Sequence, residues 1–263
     1  MALFDSAAQN YDQEFSHTLV GRAMRWRVWD FLERKLALKG AQKTILELNC
    51  GTGEDAFYLC AMGHRMICTD LSASMLAITN EKNNNHRELL STHIVDLADP
   101  NFDFINTKID FVFSNFGGLN CLDQQQLKNL SSSLSQNLDS GAYFSAVVMP
   151  KYCLMESLYF LLKGNWRSIF RRNTDKALAV PVSDNMVATW YYSPMEFSHL
   201  FSNEFVLDDV RPIGIVLPPS YLNPFFEKHP LIFALAKRME NVLGRFAIFA
   251  SVADHFIILL RKK

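Results

Sequence analysis

The chain has 263 residues, of which 49% are hydrophobic and 20% are charged. This balance is typical of a folded globule with a sizeable core and excludes a disordered chain. The 26 Lys and Arg residues against 27 Asp and Glu residues give no overall attraction for nucleic acid, so we expect no nucleic-acid partner. The five cysteines are odd in number and form no CxxC pair, which favours a reducing compartment and predicts no metal site.

The N-terminal residues 1–10 lack the basic start and the apolar run of a signal peptide. The most apolar segment, residues 246–260, contains Asp254 and His255 and is too short to span a bilayer. We therefore expect a cytoplasmic protein, with contact at a membrane surface left open.

Residues 5–38 predict helix throughout, ended by Lys39-Gly40. Apolar residues recur there at helical spacing and predict a buried stripe, at Val28, Phe31, Leu32 and Leu36. The basic residues of the segment are expected to be solvated, namely Arg22, Arg25, Arg34 and Lys35.

Strand and helix signals alternate between residues 44 and 149. The predicted strands cover 44–48, 65–69, 92–96, 109–114 and 142–149. The predicted helices cover 53–61, 72–82 and 123–138. The alternation predicts an α/β fold with a Rossmann-like, doubly wound and mostly parallel sheet, which binds ligands beyond the carboxyl ends of its strands.

The pattern changes after Pro150. We predict an apolar helix at 151–163, a basic aromatic tract at 163–172 and a hairpin or edge strands at 178–192. A helix from Ser193-Pro194 follows, and then a strand near 205–216 and a turn at Pro218-Pro219. The last elements predicted are a helix at about 230–243 and a closing strand at 255–260. We expect one domain over residues 1–263. Its parts are a helical cap at 1–40, a cofactor-binding core at 41–150, and substrate-covering elaborations at 151–192 and 217–250.

The glycine turn after the first strand predicts a nucleotide-type pocket. Gly51 and Gly53 allow positive φ and a close approach of backbone amides to a ligand, and the next helix points its positive end at the same spot. The run Gly51–Ala56 fits the dinucleotide pattern GxGxxG/A. Glu47, four residues earlier, is better suited to a cationic ligand than to a diphosphate. A buried turn without a ligand is the alternative.

The run Glu47-Leu48-Asn49-Cys50-Gly51-Thr52-Gly53 resembles the first motif, E/D-x-G-x-G-x-G, of class I S-adenosylmethionine (SAM) dependent methyltransferases. Asn49 stands where the motif has its first glycine. The resemblance implies SAM as cofactor and S-adenosylhomocysteine (SAH) as product, with the loop on the methionine part and the acid ordering the loop and its water. It also implies a seven-stranded sheet whose last strand is antiparallel, with N-terminal helices and a lid-like insertion.

Two acids at later strand ends extend this resemblance. Asp70 lies 17 residues after Gly53, where a carboxylate can accept from both ribose hydroxyls of NAD or SAM; a helix N-cap is the alternative. Asp70-Leu71-Ser72 also opens the family's D-x-S-x-x-M-L run, and Leu71 is taken with Asp70 as a cofactor-binding candidate. Asp96 and Leu97 imply adenine contacts, the acid with the exocyclic amine and Leu97 with the ring, and a surface turn is the alternative.

The fourth strand ends in Ser114 and Asn115, followed by Phe116, the pair Gly117-Gly118 and Asn120. The resemblance places the active-site floor here, with Asn115 near the cofactor and Phe116 and Asn120 near the substrate; a loop hinge is the alternative. No (D/N)PPY pattern of base-modifying amino-methyltransferases is present.

The N-terminal run Ala8–Phe15 resembles the A-x-x-Y-D-x-x-F opening of small-molecule members of the family, including quinone methyltransferases. The resemblance implies that Tyr11 caps the carboxylate side of the cofactor. A tyrosine that packs in the core is the alternative.

Aromatic residues are dense after residue 150 and predict an apolar substrate pocket, with Tyr152, Tyr191 and Tyr192 as candidates. Core packing is the alternative for each. The basic tract carries four cations that suit an acidic substrate group, an acyl-carrier protein or a membrane surface, Lys163, Arg167, Arg171 and Arg172. A solvated basic face is the alternative.

A general base is not identified by any motif; the candidates considered are His199, His229, His255, Tyr191 and Tyr192. We predict SAM-dependent methyl transfer, by in-line displacement, to an O, N or C atom of a small hydrophobic or aromatic metabolite. The alternatives are an NAD-type oxidoreductase and a SAM-binding protein without catalysis.

Overall fold

The structure is a computed structural model that describes residues 4–217 and 222–263. The strands found in it are β1 (Thr44–Leu48), β2 (Arg65–Asp70), β3 (Leu90–Ile94), β4 (Ile109–Ser114), β5 (Leu138–Val148), β6 (Leu178–Val182), β7 (Asn185–Thr189), β8 (Phe205–Ile213) and β9 (His255–Lys262). Seven of these described strands form one sheet in the order β3-β2-β1-β4-β5-β9-β8. β9 is antiparallel to both neighbours, β5 and β8, and the other pairs are parallel. The predicted fold class is confirmed.

The α-helices are α1 (Leu19–Leu36), α2 (Glu54–Ala61), α3 (Ala73–Lys82), α4 (Gln124–Gln136), α5 (Leu154–Leu162), α6 (Pro194–Leu200), α7 (Asn223–Lys228) and α8 (Pro230–Leu243). Local sequence fixes several of their starts. Ser193 and Glu196 form a capping box around Pro194 at the start of α6, as predicted. Asp123 and Gln126 form another at the start of α4.

The N-terminal segment differs from the continuous helix predicted for 5–38. A short π-helical turn, Asp12–Ser16, is separated from α1 by Thr18, whose backbone is extended. The Thr18 hydroxyl accepts from the Gly21 N–H and donates to the Phe15 carbonyl, so this residue ends one turn and caps the next helix. Ala37, in the left-handed region, ends α1.

The main sheet is covered on both faces, which explains its nearly continuous apolar strands. One core cluster packs α1 and α2 on the sheet through residues such as Met24, Val28, Ile45 and Phe113. The other packs α4 and α6 on the opposite face through residues such as Leu46, Val112, Leu127 and Phe197. The strand order reverses between β1 and β4, and a ligand cleft is expected at the carboxyl ends of these strands.

β6 and β7 form a separate two-stranded hairpin, in agreement with the predicted hairpin at 178–192. The Trp190 N–H donates to the Asn120 carbonyl and holds the hairpin near the end of β4. The predicted turn at Pro218-Pro219 lies outside the described residues. Among the described helices, none has the length and apolarity needed to cross a membrane. The division into cap, core and elaborations stays a prediction.

Candidate functional site

The loop after β1 has three residues at positive φ: Asn49 at 49°, Gly51 at 56° and Gly53 at 83°. Asparagine tolerates this region better than most residues. Its side chain is fixed as well, because Asn49 Oδ1 accepts from Ser114 Oγ at 2.6 Å and Asn49 Nδ2 donates to the Asn115 carbonyl at 3.1 Å. Asn49 therefore keeps the turn of the motif's first glycine and ties the loop to the end of β4.

Asp70, at the end of β2, orients the same loop. Its Oδ2 accepts from the Gly51 N–H at 2.9 Å, and its Oδ1 accepts from the Ser72 N–H at 2.8 Å. Burial raises the pKa of this carboxyl above its ordinary value, although the backbone hydrogen bonds oppose the shift. Ser72 itself caps α3 through its hydroxyl. The structure thus gives the capping role to Ser72 and leaves Asp70 at the cleft.

Glu47 does not face the cleft. The residue is buried, and its carboxyl lies 4.0 Å from Cys68 Sγ inside the sheet. Burial, followed by the neighbouring Cys68 and Asp55, raises the pKa of Glu47 well above its ordinary value and favours the neutral acid. In this position a charged Glu47 carboxylate does not select a cationic ligand in the cleft.

A cavity of about 310 Å³ opens at the carboxyl ends of β1, β2 and β4. Nine of the residues predicted for cofactor or substrate line it: Tyr11, Asn49, Gly51, Asp70, Leu71, Asp96, Leu97, Asn115 and Phe116. Gly53 is not among them. It stands at the N-cap of α2, where a Cβ would press on Thr79, so its glycine serves packing at positive φ.

The acids predicted for ribose and adenine lie on one wall. The Val95 N–H donates to the Asp70 carbonyl at 3.1 Å, which continues the strand pairing just beyond β3. β3 ends at Ile94, two residues earlier than predicted, so Asp96 lies in a turn where its Oδ1 accepts from the Ala98 N–H at 2.8 Å. Its side chain remains exposed at the cavity and can accept from a ligand amine.

Residues 4–16, here called the N-terminal strap, cross the mouth of the cavity. Phe4 and Tyr11 contribute to its lining, and burial raises the pKa of Tyr11 to about 12. Asp12 fastens the strap to the glycine loop, since it accepts from Thr52 Oγ1 at 2.6 Å and from the Lys82 ammonium. Asp12, His17 and Glu54 lie close enough to share a cation, but the Lys82 ammonium already bridges Asp12 and Glu54.

A small chamber beside the glycine loop contains Arg25, which the sequence analysis placed in solvent. Arg25 is 6% exposed and forms an ion pair with Asp55. Asp55 also accepts from Trp29 Nε1 at 2.7 Å and from Asn115 Nδ2 at 3.0 Å. Among the described residues Arg25 Nε has no hydrogen-bond partner. Arg25 lies three residues before Val28, on the apolar stripe of α1. This spacing is the feature of the sequence that could have predicted the burial of Arg25.

The other side of the cavity is apolar. It is formed by the inner face of the β6–β7 hairpin together with loop residues: Val180, Val182, Val187, Thr189, Leu122 and Met149. The hairpin residues alternate along each strand, as one face of a β-ribbon requires. The sequence predicted the hairpin, and the alternation of apolar residues with a period of two was the signal that could have identified these lining residues.

Four residues predicted to bind substrate lie outside the lining. Asn120 is buried and joins β5 to the hairpin, because its Nδ2 donates to the carbonyls of Met149 and Trp190. The Tyr192 hydroxyl donates to the Leu122 carbonyl at 2.6 Å. Tyr191 is buried under the Arg172 guanidinium, and Tyr152 is exposed beside Phe170. The structure gives the first three packing roles.

The basic tract at 163–172 is less available than its sequence indicates. Arg172 is buried and forms ion pairs with Glu156 and Asp254, and Arg171 pairs with Glu156. Within the described chain, Lys163 and Arg167 lack ion-pair partners, and Lys163 lies over the Tyr159 ring. Two cations therefore remain for an external partner. Arg172 joins α5 to Asp254, just before β9, and Arg171 pairs with Glu156 on α5.

His255, one of the candidate bases, packs against a residue that lines the cavity. Its ring meets the edge of Phe116, a lining residue, at 5.6 Å between centroids, and its Nδ1 lies 3.2 Å from Asp254 Oδ2. Burial opposes ionisation of Asp254, but the charges of His255 and Arg172 outweigh it and lower the pKa of that carboxyl. His255 itself is not part of the lining.

Known proteins resemble the chain most clearly in the core. Residues 45–141 match the family described as "Methyltransferase domain". A tRNA 5-carboxymethoxyuridine methyltransferase of Escherichia coli K12 is 34% identical over 74 residues, which are 28% of this chain and 28% of that protein. The probable SAM-dependent methyltransferase TehB of Haemophilus influenzae 10810 is 23% identical over 103 residues, 38% of this chain and 33% of TehB.

The similarity in fold extends much further than the similarity in sequence. The structure of the DhpI–SAH complex is 15% identical, with a TM-score of 0.59, and the match covers 98% of this chain and 93% of that one. The chain spans about a third or less of the length of the curated relatives that it matches. The matched residues 45–141 include the glycine loop, Asp70, Asp96 and Asn115. Residues 45–141 are therefore similar in sequence to a methyltransferase domain, and the chain shares its fold with solved SAM-dependent methyltransferases.

Proposed function

We propose that this protein transfers the methyl group of SAM to a small apolar acceptor held beneath the β6–β7 hairpin. The observation that carries the proposal is the two-sided cavity. One wall presents the strand-end polar residues Asp70, Asp96 and Asn115, and the facing wall presents the hairpin valines. A polar cofactor and an apolar acceptor can lie in contact only where two such walls share one space.

The polar wall fits SAM in its chemistry. Asp70 offers carboxylate oxygens for ribose hydroxyls, and Asp96 offers them for the adenine amine. Gly51 leaves open space where a Cβ would stand. The unpaired Arg25 Nε in the side chamber is a buried donor that suits the methionine carboxylate.

SAM supplies an electrophilic methyl group, which the acceptor takes by in-line displacement as the C–S bond breaks and SAH leaves. The protein's part is alignment and exclusion of water. Phe4 and Tyr11 of the N-terminal strap close one side, and Phe116 and the hairpin close the other. His255 lies behind Phe116 and supports its ring; we assign it no proton transfer.

The second candidate acceptor is a modified tRNA base, since one relative is named a tRNA methyltransferase. The net charge of −1 gives no general attraction for RNA and favours the small molecule. An NAD-type reaction loses its basis, because the matched family and the fold are those of methyltransferases.

The test uses SAM labelled in its methyl group. The protein is incubated with an apolar metabolite extract and, separately, with total tRNA from the same cells. Label in a small apolar product, found by mass spectrometry, supports the proposal. Label in tRNA assigns the second candidate, and SAH binding by calorimetry without transfer to either pool overturns the proposed activity.

A further inference from the structure

An exposed apolar stripe runs along α8. Its members recur at helical spacing on one side, and they are Leu231, Ile232, Leu235, Met239 and Val242. Leu231 is 84% exposed. The adjoining side of the helix is anchored, since Ala236 and Glu240 are buried and Phe233 packs on the core. In the part of the chain that the structure describes, nothing covers the stripe.

The charge around this stripe is positive. Three exposed cations lie on α7, on α8 and just after α8, at Lys228, Arg238 and Arg245. Lys237 lies instead over the Trp26 ring of α1, away from the stripe. The Glu240 carboxylate points inward and accepts from the backbone N–H groups of Gly214 and Val216, at 2.8 and 2.9 Å. Of the two acids in the described segment 222–245, Glu240 is buried and Glu227 is exposed. The surface combines an apolar stripe with a cationic border.

The apolar surface continues beyond both ends of α8. Phe225 on α7 is half exposed, and Phe246 and Ile248 follow the helix, with Ile248 80% exposed. A helix of 14 residues is about 21 Å long at 1.5 Å per residue, too short to cross a bilayer. An anchored helix with this composition instead suits a position in the plane of the headgroups, its apolar residues pointing into the acyl boundary.

We propose that the α8 surface, defined by the stripe and the cations Lys228, Arg238 and Arg245, docks the protein on an anionic lipid bilayer. The positive charge around the stripe favours an anionic bilayer over a second copy of the chain as the partner at this surface. A two-fold dimer formed through this face would place each cationic border close to its own counterpart. An anionic headgroup layer neutralises the same border while the stripe leaves water.

Co-sedimentation of the full chain with vesicles tests the proposal, without SAM or acceptor, so the result is independent of the proposed reaction. We expect binding to mixed phosphatidylglycerol–phosphatidylcholine vesicles and little binding to phosphatidylcholine alone. Leu231→Asp with Leu235→Asp should lower the partition coefficient at least about tenfold, because both side chains point outward and carry the insertion. Circular dichroism and thermal unfolding establish that the variant is folded.

Matched variants locate the surface. Met195→Asp changes an equally exposed apolar residue on α6 and should bind vesicles as the parent does. Arg238→Glu should weaken binding more than Lys128→Glu, an exposed charge reversal on α4. Undiminished binding of the double variant overturns the proposal, as does binding lost only in Lys163→Glu with Arg167→Glu. A dimer in sedimentation velocity that the double variant abolishes, without vesicle binding by the parent, also overturns it.

Discussion

The side chain of Asn49 occupies the space where a Cβ on residue 118 would lie. A methyl group on Gly118 would overlap the Asn49 amide and its Cβ. The same amide bonds Ser114 and the Asn115 carbonyl, so it joins the loop after β1 to the end of β4. The departure from the usual glycine at position 49 is thus accommodated by a glycine 69 positions later in the chain.

This pairing makes Gly118→Ala destabilising. Overpacking of a close contact typically costs about 1–3 kcal/mol, and the displaced Asn49 should also weaken SAH binding. Asn49→Gly in the same chain removes the overlap and should recover most of the lost stability. Thermal unfolding and SAH calorimetry on the two single variants and the double variant measure this coupling. Additive losses in the double variant would show that the two residues do not share the space.

Asp70 should govern cofactor affinity. Asp70→Asn removes a charged acceptor, and hydrogen bonds to charged groups are worth about 1.5–3 kcal/mol each, so SAH affinity should fall about tenfold or more. Asp99 is an exposed acid in the same turn as Asp96. Asp99→Asn is therefore the matched control and should leave the SAH affinity measured by calorimetry unchanged. Equal affinity of the Asp70 variant and the parent would refute the ribose assignment.

Glu47 should make stability fall as pH rises. Its pKa is raised in the folded protein by burial, so the folded state holds the proton more tightly than the unfolded state does. At a pH below the ordinary pKa of 4.5, the Glu47 carboxyl is neutral in the folded and the unfolded state, so it carries no penalty. Between that value and the raised pKa, the penalty grows by about 1.4 kcal/mol per pH unit.

Glu47→Gln cannot ionise and escapes this penalty. The free energy of unfolding of the variant, relative to the parent, should therefore increase as pH rises above 4.5, the ordinary pKa of the group. Denaturant unfolding at several pH values measures the difference. A difference that does not change with pH would mean that Glu47 ionises normally in the fold.

The hairpin wall should control the acceptor and not the cofactor. Val180 faces the cavity, whereas its neighbour Ala179 is exposed on the other side of the hairpin. Val180→Trp should fill the apolar side and lower kcat/KM for the acceptor at least about tenfold, with SAH affinity retained. Ala179→Trp is the matched control and should change neither quantity. Loss of SAH affinity in the Val180 variant would place the cofactor against the hairpin.

The sequence by itself determined the doubly wound sheet and the order of the cofactor loops. These features arise from local patterns: apolar strands, glycines at positive φ, and acids at strand ends. Parallel strands bring such ends to one edge whatever the detailed packing, so the sequence alone predicts that Asp70 and Asp96 lie at the same cleft. Helix starts such as Ser193 were equally local.

The tertiary structure alone decided which polar side chains line the cavity. The Glu47 side chain is buried. Arg25 on α1 forms an ion pair with Asp55, which lies 30 positions later on α2. Asn120 donates to the Trp190 carbonyl beside the hairpin, and Tyr192 donates to the Leu122 carbonyl. Val180 and Val187 line the cavity. A local pattern places a residue on an element. Its burial and partners depend on contacts between elements distant in sequence, and those contacts separate a binding residue from a packing one.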